Sequence, residues 1–106
     1  MNRYVLNTEA QEDLREIRDY LLSEGGARAA RYVVSSFVVA FRRLAKRPGM
    51  GHRREDLTAN QTLLFWPVFS YLIVYRRESS HVAIVAVLVL TGTDPNFDSR
   101  RSWLID

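Results

Sequence analysis

The sequence predicts an α+β domain in which an antiparallel helical hairpin packs on one face of a mostly antiparallel sheet. Three observations point there. Apolar residues in the first half recur at helical spacing and are broken by Glu24-Gly25-Gly26. Those of the second half fall in short β-branched and aromatic runs separated by turn signals. The length of 106 residues, with 47% hydrophobic and 25% charged side chains, allows one domain over residues 1–106 and excludes disordered and fibrous classes.

The elements follow in order. Arg3–Leu6 reads as a short strand. Thr8 is placed as a helix N-cap with Gln11 at capping-box spacing, and Glu9, Glu12 and Asp13 load the first turns with acid. Ala10, Leu14, Ile17 and Leu21 then draw one apolar stripe. A second helix is expected from about Ala27 to Arg47, its stripe of Ala30, Val33, Phe37, Ala40, Phe41 and Leu44 widened by Val34 and Val38. Pro48-Gly49 stops it, and a tight Gly-Gly turn between two helices makes them a hairpin. Strands are expected over Thr62–Trp66, Val68–Arg77 and Val82–Leu90, with Pro67 marking a bulge or corner and Glu78-Ser79-Ser80 a hairpin turn. The order is β-α-α-β-β-β.

Strand alternation puts Phe69, Tyr71, Ile73 and Tyr75 on one face of the middle strand, with Leu72 and Val74 on the other. The last strand is apolar on both faces, Val82, Ile84, Ala86, Leu88 and Leu90 against Ala83, Val85, Val87 and Val89. Two helices cover one face, so the other is expected to be sheltered by the tail or, in preference, by a partner. Leaving several such side chains in water would forgo about 1.5–3 kcal/mol each.

Charge is unevenly placed. The net charge is +3, yet residues 25–54 hold eight basic side chains and no acidic one, and both flanking segments are net acidic. That concentration suggests an anionic partner. Arg42, Arg43, Lys46 and Arg47 also fit a helix C-terminus, where the macrodipole favours cations; both readings stand open. Arg53 and Arg54 lie beyond the helix.

The absence of cysteine removes disulfides, thiolate metal sites and cysteine nucleophiles, and fits a reducing, cytoplasmic setting. No signal peptide or membrane span is read, so no membrane partner is expected. His52 and His81 stand alone in a loop and beside a turn, without metal-ligand spacing, and no phosphate-binding glycine loop or nucleophile elbow is present. No catalytic residue, metal ligand or cofactor is assigned. Gripping other macromolecules is therefore expected rather than turnover of a metabolite.

Four stretches carry a family resemblance: YVLNTEAQEDLREIRDYL, FRRLAKRPGMGHRREDL, FWPVFSYLIVYR and VLVLTG. Together they resemble the RelE/ParE toxin superfamily of type II toxin–antitoxin systems, most closely its ParE-type branch. The resemblance implies the same β-α-α-β-β-β fold and a cognate ParD-like antitoxin with a ribbon-helix-helix DNA-binding part, through which alone promoter DNA would be engaged. RelE-like members cleave messenger RNA in the ribosome, whereas ParE-like members are non-enzymatic poisons of DNA gyrase. Here Thr91-Gly92-Thr93-Asp94 stands where related chains often carry His-Gly-x-Arg-Asp, the tail has no Tyr or His, and Lys46 is the single lysine. These departures favour gyrase inhibition. Arg53, Arg54, Arg76, Arg77, Arg100 and Arg101, with Trp103 as an aromatic anchor, are the candidate target contacts. Leu14, Leu21, Phe37, Trp66 and Phe69 are the candidate antitoxin contacts. The alternatives are a ribosome-dependent endoribonuclease using Arg53, Arg76 and His81, and an inactive homologue that serves as antitoxin co-repressor.

Overall fold

A computed structural model describes residues 3–89. The chain runs β1 (Tyr4–Leu6), α1 (Thr8–Glu24), α2 (Gly26–Lys46), a 3-10 turn (Pro48–Met50), β2 (Leu63–Val68), β3 (Tyr71–Arg77) and β4 (Val82–Val89). Both helices lie on one face of a four-stranded sheet of order β1-β4-β3-β2. β1 is parallel to β4 and the other pairs are antiparallel, which is the expected α+β architecture in the expected order.

The start of α1 differs from expectation. Its N-cap is Asn7, with extended φ −66° and ψ 161°. The Asn7 N–H bonds the Ile84 carbonyl at 2.9 Å and its own carbonyl accepts from the Gln11 N–H at 3.0 Å. One residue therefore ends the β1 ladder and opens the helix. Gln11 Nε2 turns back to the Leu6 carbonyl at 2.9 Å, so the Thr8–Gln11 capping box is not made. At the first residue of α2, Gly26 at φ +87° takes a left-handed conformation that other residues adopt at a cost.

Pro67 does not interrupt the strands. It lies inside β2 opposite Leu72, and β2 is an edge strand, where a missing N–H is tolerated. The turn falls two residues later, at Phe69-Ser70, with Phe69 at φ 54°. The bulge belongs to the next pair. Tyr75 faces Ile84 while Val74 faces Ala86, so Val85 is an extra residue in β4. One extra residue reverses the alternation beyond it. Val82, Ile84 and Val87 consequently join the helix-side core, while Ala86 and Leu88 join the opposite cluster, which corrects the uninterrupted even–odd division.

The helix-side core gathers Ala10, Ile17, Phe37, Ala40, Phe41 and Leu44 against Ile73, Tyr75, Val82, Ile84 and Val87. On the far face Leu63, Phe65, Leu72, Val74, Ala86 and Leu88 are each at most 3% exposed, with Leu57 and Val85 packed against them. The face is thus sheltered, in part by Leu57; the tail expected to cover it, failing a partner, lies outside the described residues. Leu57 comes from the connection between the 3-10 turn and β2, a segment polar in composition, so nothing in its periodicity announced that it would fold over the sheet.

Candidate functional site

The connection after α2 is fastened in two places. The Tyr75 hydroxyl donates to the Pro48 carbonyl at 2.7 Å and accepts from the Gly51 N–H at 2.8 Å. His52 and Phe65 exchange backbone hydrogen bonds of 2.9 and 2.7 Å, extending the sheet beyond the β2 edge. Tyr75 has no exposed surface, and burial pushes its pKa up against the opposing effect of the Gly51 hydrogen bond. Arg53 thus leaves the chain immediately after two anchored residues.

Arg53 shares an open cleft of about 350 Å³ with Arg77, Gly49, Gln61, Thr62 and Leu64. Neither arginine has a carboxylate within salt-bridge distance among the described residues. The other two candidates in this region are already balanced. Arg54 reaches Asp56 through two hydrogen bonds of 2.9 and 2.8 Å, which hold the Asp56 carboxyl below its ordinary range. Arg76 Nε donates to Glu78 at 2.6 Å. The structure therefore brings Arg53 and Arg77 together and leaves Arg54 and Arg76 with neighbours of their own. Arg100, Arg101 and Trp103 lie outside the described residues, as do Leu90 and the Thr91–Asp94 segment.

A second basic surface was missed as a unit. On α2, Val39, Arg42, Arg43 and Lys46 fall at three-, four- and seven-residue spacing, hence on one helical face. With Arg3 and Tyr4 they line an open cleft of about 670 Å³. Arg43 and Lys46 also line a neighbouring cleft of about 330 Å³ with Arg47, Met50 and Trp66. The helix pattern gave Arg42, Arg43, Lys46 and Arg47 at the end of α2, but Arg3 arrives through the parallel pairing of β1 with β4, which no local spacing encodes.

The apolar candidates separate by burial. Leu14, Leu21 and Trp66 are half-buried at the border of the helix-side core. Phe37 has no exposed surface and packs against Phe41 and Tyr71, so it offers no contact area to a partner. Phe69 is 56% exposed at the tip of the β2–β3 turn, 5.8 Å from the ring of Tyr32, itself 65% exposed. A bulky residue at positive φ is strained. Tyr32 is the partner that sequence reading did not supply.

Proton-moving groups are dispersed. The His52 ring stacks on Trp66 at 6.1 Å, and His81 Nδ1 lies 3.2 Å from Ser80 Oγ. Burial, and secondarily Tyr20, raise the pKa of Tyr71. Among the described residues no group of three His, Asp, Glu or Cys side chains converges to hold a metal, and no helix is long and apolar enough to cross a membrane.

Taken together, these observations define a small α+β protein in which a helical hairpin on a mixed sheet carries arginine-lined clefts. The family described as "ParE toxin of type II toxin-antitoxin system, parDE" matches residues 4–89, and the chain belongs to that family. It is a ParE-type toxin of a type II toxin–antitoxin system. Its fold is similar to a solved chain titled "Chromosomal ParDE TA system from P. aeruginosa", with a TM-score of 0.72 at 16% identity, covering 85% of this chain and 97% of that one. No curated protein matches the chain.

Proposed function

We propose that this toxin acts by inhibiting DNA gyrase and is neutralised in the cytoplasm by a ParD-like antitoxin. The observation that carries this reading is that no histidine or tyrosine lines the Arg53–Arg77 cleft among the described residues. The Tyr75 hydroxyl is spent between Pro48 and Gly51, and the two histidines bear on Trp66 and Ser80. Metal-free RNA cleavage needs an acid, a base and cations set around one phosphate. The arginines of the Arg53–Arg77 cleft supply only the last of these, which suits adhesion to a macromolecule. Arg53 and Arg77 are its central target contacts, and Arg100, Arg101 and Trp103 are proposed as further ones.

The test pairs gyrase supercoiling with translation of a reporter message. Relaxed or cleaved plasmid with intact message supports the proposal; cleaved message with normal supercoiling sinks it. Arg53→Glu with Arg77→Glu should weaken gyrase inhibition at least about tenfold, equivalent to about 1.4 kcal/mol. Arg54→Gln, which removes a charge already balanced by Asp56, should change it far less.

For the antitoxin, Leu14, Leu21, Trp66 and Phe69 are the proposed contacts. Phe69→Asn separates binding from folding, because asparagine tolerates the left-handed backbone that phenylalanine adopts under strain. Thermal stability should stay level or rise by up to about 1 kcal/mol. Antitoxin affinity, measured by calorimetry, should fall. Unchanged affinity would remove this turn from the interface.

A further inference from the structure

We infer that the basic trough running from Arg3 across the C-terminal turns of α2 to Trp66 binds single-stranded nucleic acid. The inference is independent of the gyrase reading, since it concerns a different surface and direct contact with the polymer.

Three observations carry it. First, Arg3, Arg42, Arg43, Lys46 and Arg47 line two clefts joined through Arg43 and Lys46, and none has a carboxylate within salt-bridge distance among the described residues. A cluster of like charges without counter-charge is a standing cost that an anionic ligand relieves. Second, the helix dipole does not account for the whole cluster. It favours cations on the last turn of α2, but Arg3 enters from the strand side, where no helix C-terminus calls for it. Third, each cleft sets an aromatic ring beside its cations. Tyr4, held 5.4 Å from Phe41, lines the first cleft, and Trp66, stacked with His52, lines the second.

Cations beside aromatic side chains fit a polymer that carries both phosphates and stackable bases. Stacking on Trp66 or Tyr4 requires bases that are not already paired, which selects a single strand over a duplex. An acidic peptide would satisfy the charges and leave the rings unused.

The full-length chain would be titrated against a fluorescently labelled oligothymidylate or oligouridylate of about 12 nucleotides, the matching duplex, and an oligoglutamate of similar charge. Five phosphate contacts on a single strand predict a salt slope of about −3.5, hence a loss of about a hundredfold in affinity between about 50 and 200 mM salt. Arg43→Gln with Lys46→Gln, at two exposed positions, should lower the slope to about −2 while leaving the fold intact by circular dichroism. Trp66→Phe, which keeps a ring, should bind better than Trp66→Ala, and neither change should alter the slope. The DNA and RNA arms decide which sugar is preferred; binding in either supports the inference. Tighter binding of duplex, equal binding of oligoglutamate, or a slope indifferent to the Arg43/Lys46 pair would overturn it, as would no binding at the lower salt.

Discussion

Replacing Gly51 by alanine is expected to destabilise the protein by about 3 kcal/mol, measured by urea unfolding. A Cβ at this position would stand 2.4 Å from the Tyr75 hydroxyl oxygen and 2.6 and 2.9 Å from two ring carbons. The backbone itself is unstrained, since Gly51 is extended at φ −75° and ψ 175°. The effect is therefore purely one of space. The ring cannot yield easily, because it is fully buried and its hydroxyl is held by the Pro48 carbonyl. Moving the connection instead would break the Gly51 hydrogen bond and pull on the His52–Phe65 bridge.

Tyr75→Phe provides the control. Alone it strips a partner from a backbone N–H and a carbonyl and should cost about 2 kcal/mol. Combined with Gly51→Ala it should cost clearly less than the sum, since each change removes the same clasp. The pH dependence has a definite sign. Tyr75 titrates above its ordinary value of 10.0 in the folded chain, so the neutral form is favoured by folding. Its contribution is fully present below that value and is lost as pH rises through the folded pKa. Tyr75→Phe should flatten that alkaline decline. Stability of Gly51→Ala within about 0.5 kcal/mol of the parent would refute the clasp.

The clasp also shows what the sequence could and could not convey. Periodicity placed both helices and all four strands in order, because a stripe at helical spacing and β-branched runs each bury only one way. It assigned Ile73 and Tyr75 to one face of β3 and Leu72 and Val74 to the other, as the two clusters show. It failed where one residue changes the count. The extra Val85 reverses the pleat of β4, and a run that is apolar at every position carries no mark of where a bulge falls. Pro67 was a true signal read in the wrong place, since a proline excludes an inner strand and leaves an edge strand open. Among the candidate contacts, Phe37 fitted the helix stripe so well that its place in the core was the simpler reading. The separation of Arg53 and Arg77 from Arg54 and Arg76 depended on Asp56 and Glu78, each two residues away from its partner. Those two ion pairs were legible in principle. The meeting of Arg53 with Arg77, and of Arg3 with α2, is set by strand pairing and was not.

Asp13→Ala is expected to cost about 2–3 kcal/mol, although a charged residue in the first turns of a helix looks like a solvated one. The reason lies in the shortness of β1. Its ladder with β4 ends at Leu6 opposite Ile84, and the Asn7 N–H makes the last bond to the Ile84 carbonyl. The chain then leaves for α1, while β4 continues to Val89. Beyond the Val85 bulge no strand among the described residues lies on the β1 side of β4, and the Val87 N–H needs an acceptor. Asp13 supplies one: Oδ2 accepts that N–H at 2.9 Å, and the residue is only 3% exposed. A carboxylate acceptor for a buried amide is stronger than a neutral one, and losing it leaves the amide desolvated and unpaired. Asp13→Asn keeps an oxygen in place and should cost about 1 kcal/mol, so the series Asp, Asn, Ala separates shape from hydrogen bonding. Hydrogen exchange gives the residue-level readout, because the Val87 amide should lose protection in Asp13→Ala beyond what the global change explains. If that amide exchanged no faster while overall stability fell, the cost would have to come from helix packing, and the side chain's role as a substitute strand would be withdrawn.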